Sequence, residues 1–119
     1  VYALLLAGAS AREAVVKGCQ LMENIPCFNA GTGSVLQSDG QIRMSASLMD
    51  GVAQRFSGVI NVSRLKNPID LALFLQQSPD RVLSDYGATH LLRELAIPDY
   101  DPLIHIRLQE WIQEREGNF

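Results

Sequence analysis

Gly31-Thr32-Gly33, directly after Phe28-Asn29-Ala30, is where this chain concentrates residues able to do chemistry through their backbone. Glycines reach angles that other residues avoid, and successive amides in such a turn can cradle an anion. The dinucleotide fingerprint needs more: a third glycine at position 36, a strand before the loop and a helix after it. Position 36 is Leu36, and the order of elements is reversed. Two readings of the loop stay open on these residues, an anion held by its amides or a tight passage between helix and strand. Side-chain chemistry is sparse. A nucleophilic triad needs a histidine held by a carboxylate, but His90 and His105 both fall within predicted helices, where an imidazole is ordinarily a surface or partly buried group. Paired carboxylates would have to come from Asp39, Asp50, Glu13 or Glu23, and the spacing brings no two together. Asn61-Val62-Ser63 matches a glycosylation sequon but lies in an apolar strand, which makes the match accidental. No catalytic residue is assigned.

The elements that must position the loop can be read from period and punctuation. Val1 to Ala7 reads as the last turns of a helix, with Gly8 as its left-handed stop. Ser10-Ala11-Arg12-Glu13 is a capping box opening a second helix, whose apolar face is predicted as Ala14, Val15, Cys19 and Met22. Pro26 ends that pattern, and an ordered loop runs to Gly33. From Ser34 the period becomes two: a strand, a Ser38-Asp39-Gly40 turn and a second strand with Ile42, Met44, Ala46 and Leu48 on one side. A further strand spans Phe56 to Val62, in which Gly58 allows a close backbone approach. Asn67-Pro68 caps a helix to about Gln77 with Leu71, Ala72 and Leu75 inward, and Ser78-Pro79 breaks it. A short helix over Ala88 to Leu95 follows. Asp101-Pro102 is predicted to cap a last helix carrying Ile104, Leu108, Trp111 and Ile112 in a stripe. Helix, then sheet, then helices makes this an α+β unit, with residues 1–119 as one domain.

The 119 residues, 47% apolar, suffice for one core, though a chain of this size buries a smaller share of its surface than a larger one, which favours a stable partner. A net charge of −3 and scattered basic residues give no electrostatic reason to expect nucleic acid or an anionic membrane. The longest apolar stretches, Leu4 to Ala9 and Leu71 to Leu75, fall far short of the roughly 20 residues that span a bilayer. Val1 opens the chain without a start methionine or a signal-peptide pattern, so the true N-terminus is expected to be absent. Cys19 and Cys27 lack metal-type spacing and have apolar neighbours, which predicts buried reduced thiols and a cytoplasmic location.

Taken together and in order, Ala7-Gly8 with Ser10-Ala11 and Ala14-Val15, Phe28-Asn29-Ala30-Gly31-x-Gly33, Ala46-Ser47-Leu48-Met49-Asp50-Gly51, Lys66-Asn67-Pro68, and the Ser78-Pro79 break with Gly87-Ala88 resemble the α subunit of the plant-type L-asparaginases, also called isoaspartyl peptidases. That family belongs to the N-terminal nucleophile hydrolases. Two departures stand out. Ser45 occupies a position where the family usually has aspartate, and the chain starts after the family's first strand, with its His-Gly-Gly segment, and ends before the nucleophilic threonine.

The resemblance implies part of a four-layer αββα sandwich completed by a separate β chain from the same precursor, and an (αβ)2 heterotetramer. It implies autocleavage before a threonine, whose hydroxyl attacks a side-chain amide or isopeptide carbonyl with its own α-amine as base, water then resolving the acyl-enzyme. The substrates so implied are β-aspartyl dipeptides and L-asparagine, which this chain cannot rank. Asn29 is the residue implied to lie nearest the nucleophile, its other reading being that it only holds the loop. No organic cofactor is implied, but a structural sodium ion is, held by the backbone carbonyls of Met22, Glu23, Ile25, Phe28, Ala30 and Thr32; a ring of neutral dipoles suits a hard monovalent cation without requiring particular side chains. The alternatives are a glycosylasparaginase, which differs at the Phe28-Asn29-Ala30-Gly31 loop, a threonine-aspartase-like member, or a non-enzymatic module binding a small anion.

Overall fold

The structure, a computed structural model, describes residues 1–119. A short helix α1 (Tyr2–Leu6) precedes α2 (Ala11–Asn24), and Gly8 between them takes φ +90°. The capping box is formed: the Ser10 hydroxyl accepts the Glu13 amide at 3.1 Å, and the Glu13 carboxylate accepts the Ser10 amide at 3.2 Å. Both donors would otherwise be orphaned at the helix start. The buried face of α2 is Ala14, Val16 and Glu23 with Cys19 half-buried, whereas Val15 and Met22 are exposed. The difference from expectation arises because one narrow stripe of α2 meets the fold, where Val16 packs with Leu48, Ile69 and Ala72. Cys19 and Cys27 are free thiols, but Cys27 is exposed because its loop lies on the surface.

Strand β1 (Met44–Asp50) pairs antiparallel with β2 (Arg55–Val62), and β2 pairs parallel with β3 (Val82–Ser84). The predicted hairpin strand at Ser34 to Gln37 is not part of this sheet. Its donors are consumed locally: Ser34 N–H donates to the Gly31 carbonyl and Val35 N–H to the Asn29 side chain, leaving only the Gln37–Gln41 pairing at the turn. The third strand is instead Val82–Ser84. A parallel strand needs a crossover, which α3 (Pro68–Leu75) supplies. Gly58 fulfils its predicted role, since a Cβ there would sit 3.0 Å from the Ala46 carbonyl.

Helices α3 and α4 (Asp85–Glu94) cover one face of the sheet, with Met44, Val59, Val62, Leu65, Leu71, Leu75, Ala88, Leu91 and Leu92 forming the main core. Gln76 closes one end of it. Its amide nitrogen lies 3.0 Å from the Leu48 carbonyl, 3.1 Å from that of Arg55 and 2.9 Å from Ser57 Oγ, so a fully buried polar side chain is satisfied where the hairpin meets α3. The last helix, α5 (His105–Glu116), buries no residue, and its predicted stripe of Ile104, Leu108, Trp111 and Ile112 is at most half-buried. Asp101 does not cap it: the carboxylate accepts the Leu103 amide at 3.0 Å, one turn early.

Candidate functional site

The loop from Pro26 to Gly33 is set by its two glycines. Gly31 has φ +52° and Gly33 φ +104°, and a Cβ would lie 2.5 Å from the Glu23 carbonyl at the first and 2.3 Å from the Pro26 carbonyl at the second. Only glycine satisfies both the backbone angle and the space. The folded loop is then tied down by hydrogen bonds. Thr32 N–H donates to the Glu23 carbonyl at 2.8 Å, Ser34 Oγ donates to the Gly31 carbonyl at 2.8 Å, and Asn29 Oδ1 accepts the Val35 amide at 2.8 Å.

These bonds narrow one open question. The four consecutive amides from Thr32 to Val35 all donate within the chain, to Glu23, Pro102, Gly31 and Asn29 respectively. An anion cradle built on them has no free donors. The amides of Asn29, Ala30 and Gly31 donate to no protein group, so the hydrogen bonds exclude a cradle at Thr32 to Val35, and the glycines there serve the passage between helix and strand.

Beside the loop lies an open groove of about 420 Å³ lined by Asn29, Gly31, Ser34, Gln37, Arg43 and Ser45 among others. Asn29 is solvent-exposed on this groove while its oxygen holds Val35, so its amide nitrogen is left available. Arg43 is engaged with Asp39 at 2.8 Å and with Gln37, and this guanidinium holds the Asp39 carboxyl below its usual range. Ser45 accepts the Asn61 amide at 3.4 Å, a neutral contact where the β1–β2 register shifts.

Glu23 matters through its side chain as well as its carbonyl. Its buried carboxylate accepts the Asn67 amide at 2.9 Å and the Ile69 N–H at 2.9 Å, so it caps α3 in place of Asn67. Burial pushes its pKa up, while the two hydrogen bonds pull the other way. Sequence reading missed this role, although Glu23 falls seven residues after Val16 on the inward stripe, the signal that locates it.

The other candidates lie apart. His90 pairs with Glu94 at 3.0 Å on the outside of α4, and His105 is exposed at the start of α5. Asp50 binds the turn amides of Val52 and Ala53 and an Arg12 guanidinium at 3.5 Å. No two of Asp39, Asp50, Glu13 and Glu23 share a site.

Of the six carbonyls named for a cation, those of Glu23 and Ile25 each accept one protein hydrogen bond, from Thr32 at 2.8 Å and Phe28 at 3.2 Å. Met22 closes no helical bond, since Pro26 has no N–H, and Phe28, Ala30 and Thr32 accept none from the protein. Four of the six carbonyls thus keep both lone pairs free of protein donors, and neutral oxygens are the ligand type a hard monovalent ion takes.

The entire chain, residues 1–119, matches the family described as Asparaginase. It is 73% identical over all of its 119 residues to an isoaspartyl peptidase/L-asparaginase from Nostoc sp., covering 37% of that protein. It is 68% identical over 97% of its length to an isoaspartyl peptidase/L-asparaginase from Synechocystis sp., covering 35% of it. A plant-type L-asparaginase from Pyrococcus horikoshii is 36% identical over 90% of the chain, again across 35% of the relative. The chain thus spans little more than a third of the length of the relatives it matches.

Proposed function

We propose, because this chain belongs to the asparaginase family, that it is the α-subunit portion of an autoprocessed threonine hydrolase acting on β-aspartyl dipeptides and L-asparagine. The observation that carries this reading is the 73% identity, over the whole chain, to an isoaspartyl peptidase/L-asparaginase. In this reading residues 1–119 are one domain belonging to the α-subunit portion of a longer precursor. The β chain begins with the nucleophilic threonine, whose hydroxyl adds to the substrate's side-chain carbonyl while its α-amine takes the proton. The amine of the dipeptide, or ammonia from asparagine, leaves, and water then hydrolyses the acyl-enzyme ester. This chain supplies a wall of the pocket. In the same reading Asn29 lies nearest the nucleophile, and its exposed side-chain nitrogen, left free while the oxygen accepts from Val35, is the donor available to it.

The sheet supports a second layer. Met49, Phe56, Ile60 and Val82 are exposed on the face turned away from α3 and α4, with Met49 opposite Phe56 and Gly58 beside Val82 in the ladder. An apolar sheet face of this kind is covered in a stable domain. The β chain covers it in the αββα sandwich, and two αβ pairs assemble as a heterotetramer. No helix of the chain is long and apolar enough to cross a membrane; a cytoplasmic location is part of the proposal.

The test uses the full-length precursor. Purified protein should give two polypeptides by mass analysis, the smaller-numbered one ending where the other begins with threonine, and it should release aspartate from a β-aspartyl dipeptide. An uncleaved single chain inert toward both β-aspartyl dipeptides and L-asparagine would defeat the reading.

A sodium ion completes the proposal; the carbonyls of Met22, Glu23, Ile25, Phe28, Ala30 and Thr32 would hold it, and it would supply only a fixed loop geometry. A ligand that binds the folded state alone raises stability by mass action. The melting temperature of the full-length protein should therefore rise with sodium chloride above its value in choline chloride of equal ionic strength. Identical melting curves in the two salts would dismiss the ion.

A further inference from the structure

Helix α5 presents an anomaly: it buries no residue of its own, yet two of its side chains reach the loop and turn that flank the groove. Arg107 Nε donates to the Gly33 carbonyl at 2.8 Å across 74 positions of sequence. The Gly33 amide donates to the Pro102 carbonyl at 3.3 Å, so both backbone polar groups of that glycine are taken by the segment leading into α5. Tyr100 OH and Thr32 Oγ1 share a hydrogen bond of 2.7 Å just before it. The second contact is Trp111. Its indole N–H donates to the Ser38 carbonyl at 3.2 Å, and its ring leaves only 3.1 Å to a Cβ built on Gly40, itself at φ +81°. Positions 107 and 111 are one helical turn apart and so share a face. Gly33 and Ser38-Asp39-Gly40 lie on either side of the Ser34 to Gln37 run that lines the groove. The Arg115 guanidinium, another turn on, sits 5.4 Å over the Trp111 ring and backs it from the solvent side.

We propose that α5 is a brace for the groove, with Arg107 and Trp111 as positioning residues that hold the two ends of its Ser34 to Gln37 rim at a fixed separation. The brace's link to catalysis rests on the groove being part of the hydrolase site; its effect on the loop does not. Arg107 is suited to the task because a guanidinium offers several donors in a rigid fork: Nε meets Gly33 while Nη1 pairs with Glu110 at 2.9 Å, and the side chain is only 19% exposed. The end of the rim at Gly33 takes φ +104°, one of many angles open to glycine, and the Arg107 and Pro102 contacts hold it there.

Amide hydrogen exchange on the full-length protein tests the brace directly. Arg107→Gln should speed exchange over residues 31–35, and Trp111→Leu over residues 37–41, each by about tenfold or more, while amides of α2 and α3 keep their protection. Gln113→Ala, on the exposed side of the same helix, should change neither segment. Hydrolysis of a β-aspartyl dipeptide should lose roughly tenfold in kcat with little change in KM for Arg107→Gln, whose donor is shorter and neutral, and Arg107→Lys, which keeps a long cationic donor, should recover part of it. Unchanged exchange in both rim segments, or acceleration spread equally through α2 and α3, would overturn the brace. A wild-type protein that hydrolyses nothing would reject the hydrolase reading instead, and the exchange data would still decide for or against the brace.

Discussion

Replacing Gly33 with valine should cost more than about 3 kcal/mol of stability and stop chain cleavage in the full-length precursor. Two penalties add. The residue sits at φ +104°, where a β-branched side chain is strained in any environment, and the new Cβ would lie 2.3 Å from the Pro26 carbonyl and 2.9 Å from that of Phe28. Backbone atoms cannot move aside as the tip of a flexible side chain does, so relief requires the loop itself to shift. That shift breaks the contacts of Gly33 with Pro102 and Arg107 and displaces the Phe28 carbonyl proposed as a cation ligand. An ordinary glycine replacement in a helix costs only about 1 kcal/mol. Gly31→Val should act in the same direction, its Cβ meeting the Glu23 carbonyl at 2.5 Å. Thermal unfolding and mass analysis of the precursor read both effects; a variant with wild-type melting and full processing would show the backbone constraint to be unimportant.

Residues 1–119 expressed alone should show no hydrolysis of β-aspartyl dipeptides or L-asparagine and should aggregate, whereas the full-length precursor should hydrolyse them under the proposed function. The chain brings no nucleophile and base together: its histidines lie on the outer surface of α4 and at the start of α5, and its cysteines have no histidine partner. The solubility argument is separate. Met49, Phe56, Ile60 and Val82 present an apolar sheet face, β1 has a partner on one side only, and α1 exposes Tyr2, Leu5 and Leu6. Unpaired strand edges beside apolar faces template association. Measurable turnover by the isolated, monodisperse chain would refute the assignment of the chemistry to another polypeptide.

Some of the site was legible because its causes are local. The Ser10–Glu13 capping box, the stop at Gly8 and the start of α3 at Pro68 depend on residues within one turn of one another, and each formed where the spacing placed it. Alternation from Ile42 to Leu48 likewise marked the inward side of β1, because a strand's period is a property of its own backbone. Local competition also explains a miss. Ser34 and Val35 have strand-like sequence, but their amides are claimed by Gly31 and Asn29 before any neighbouring strand can reach them. The strand at Val82–Ser84 had too few residues to show a period.

By itself, the sequence determined the family, the α+β order of elements and the two glycines at which the chain must reverse, since these follow from residue types at short spacing and from motifs in a specific order. Tertiary structure alone decided which groups meet across long separations. Glu23 caps α3 from 46 positions away, Gln76 satisfies Leu48 from 28, and Arg107 anchors Gly33 from 74. A buried carboxylate, amide or guanidinium takes whatever unpaired donor or acceptor the packed fold delivers, because leaving such a group unmatched costs more than any local preference supplies. That delivery is a property of how helices cross the sheet, and no spacing along the chain records it.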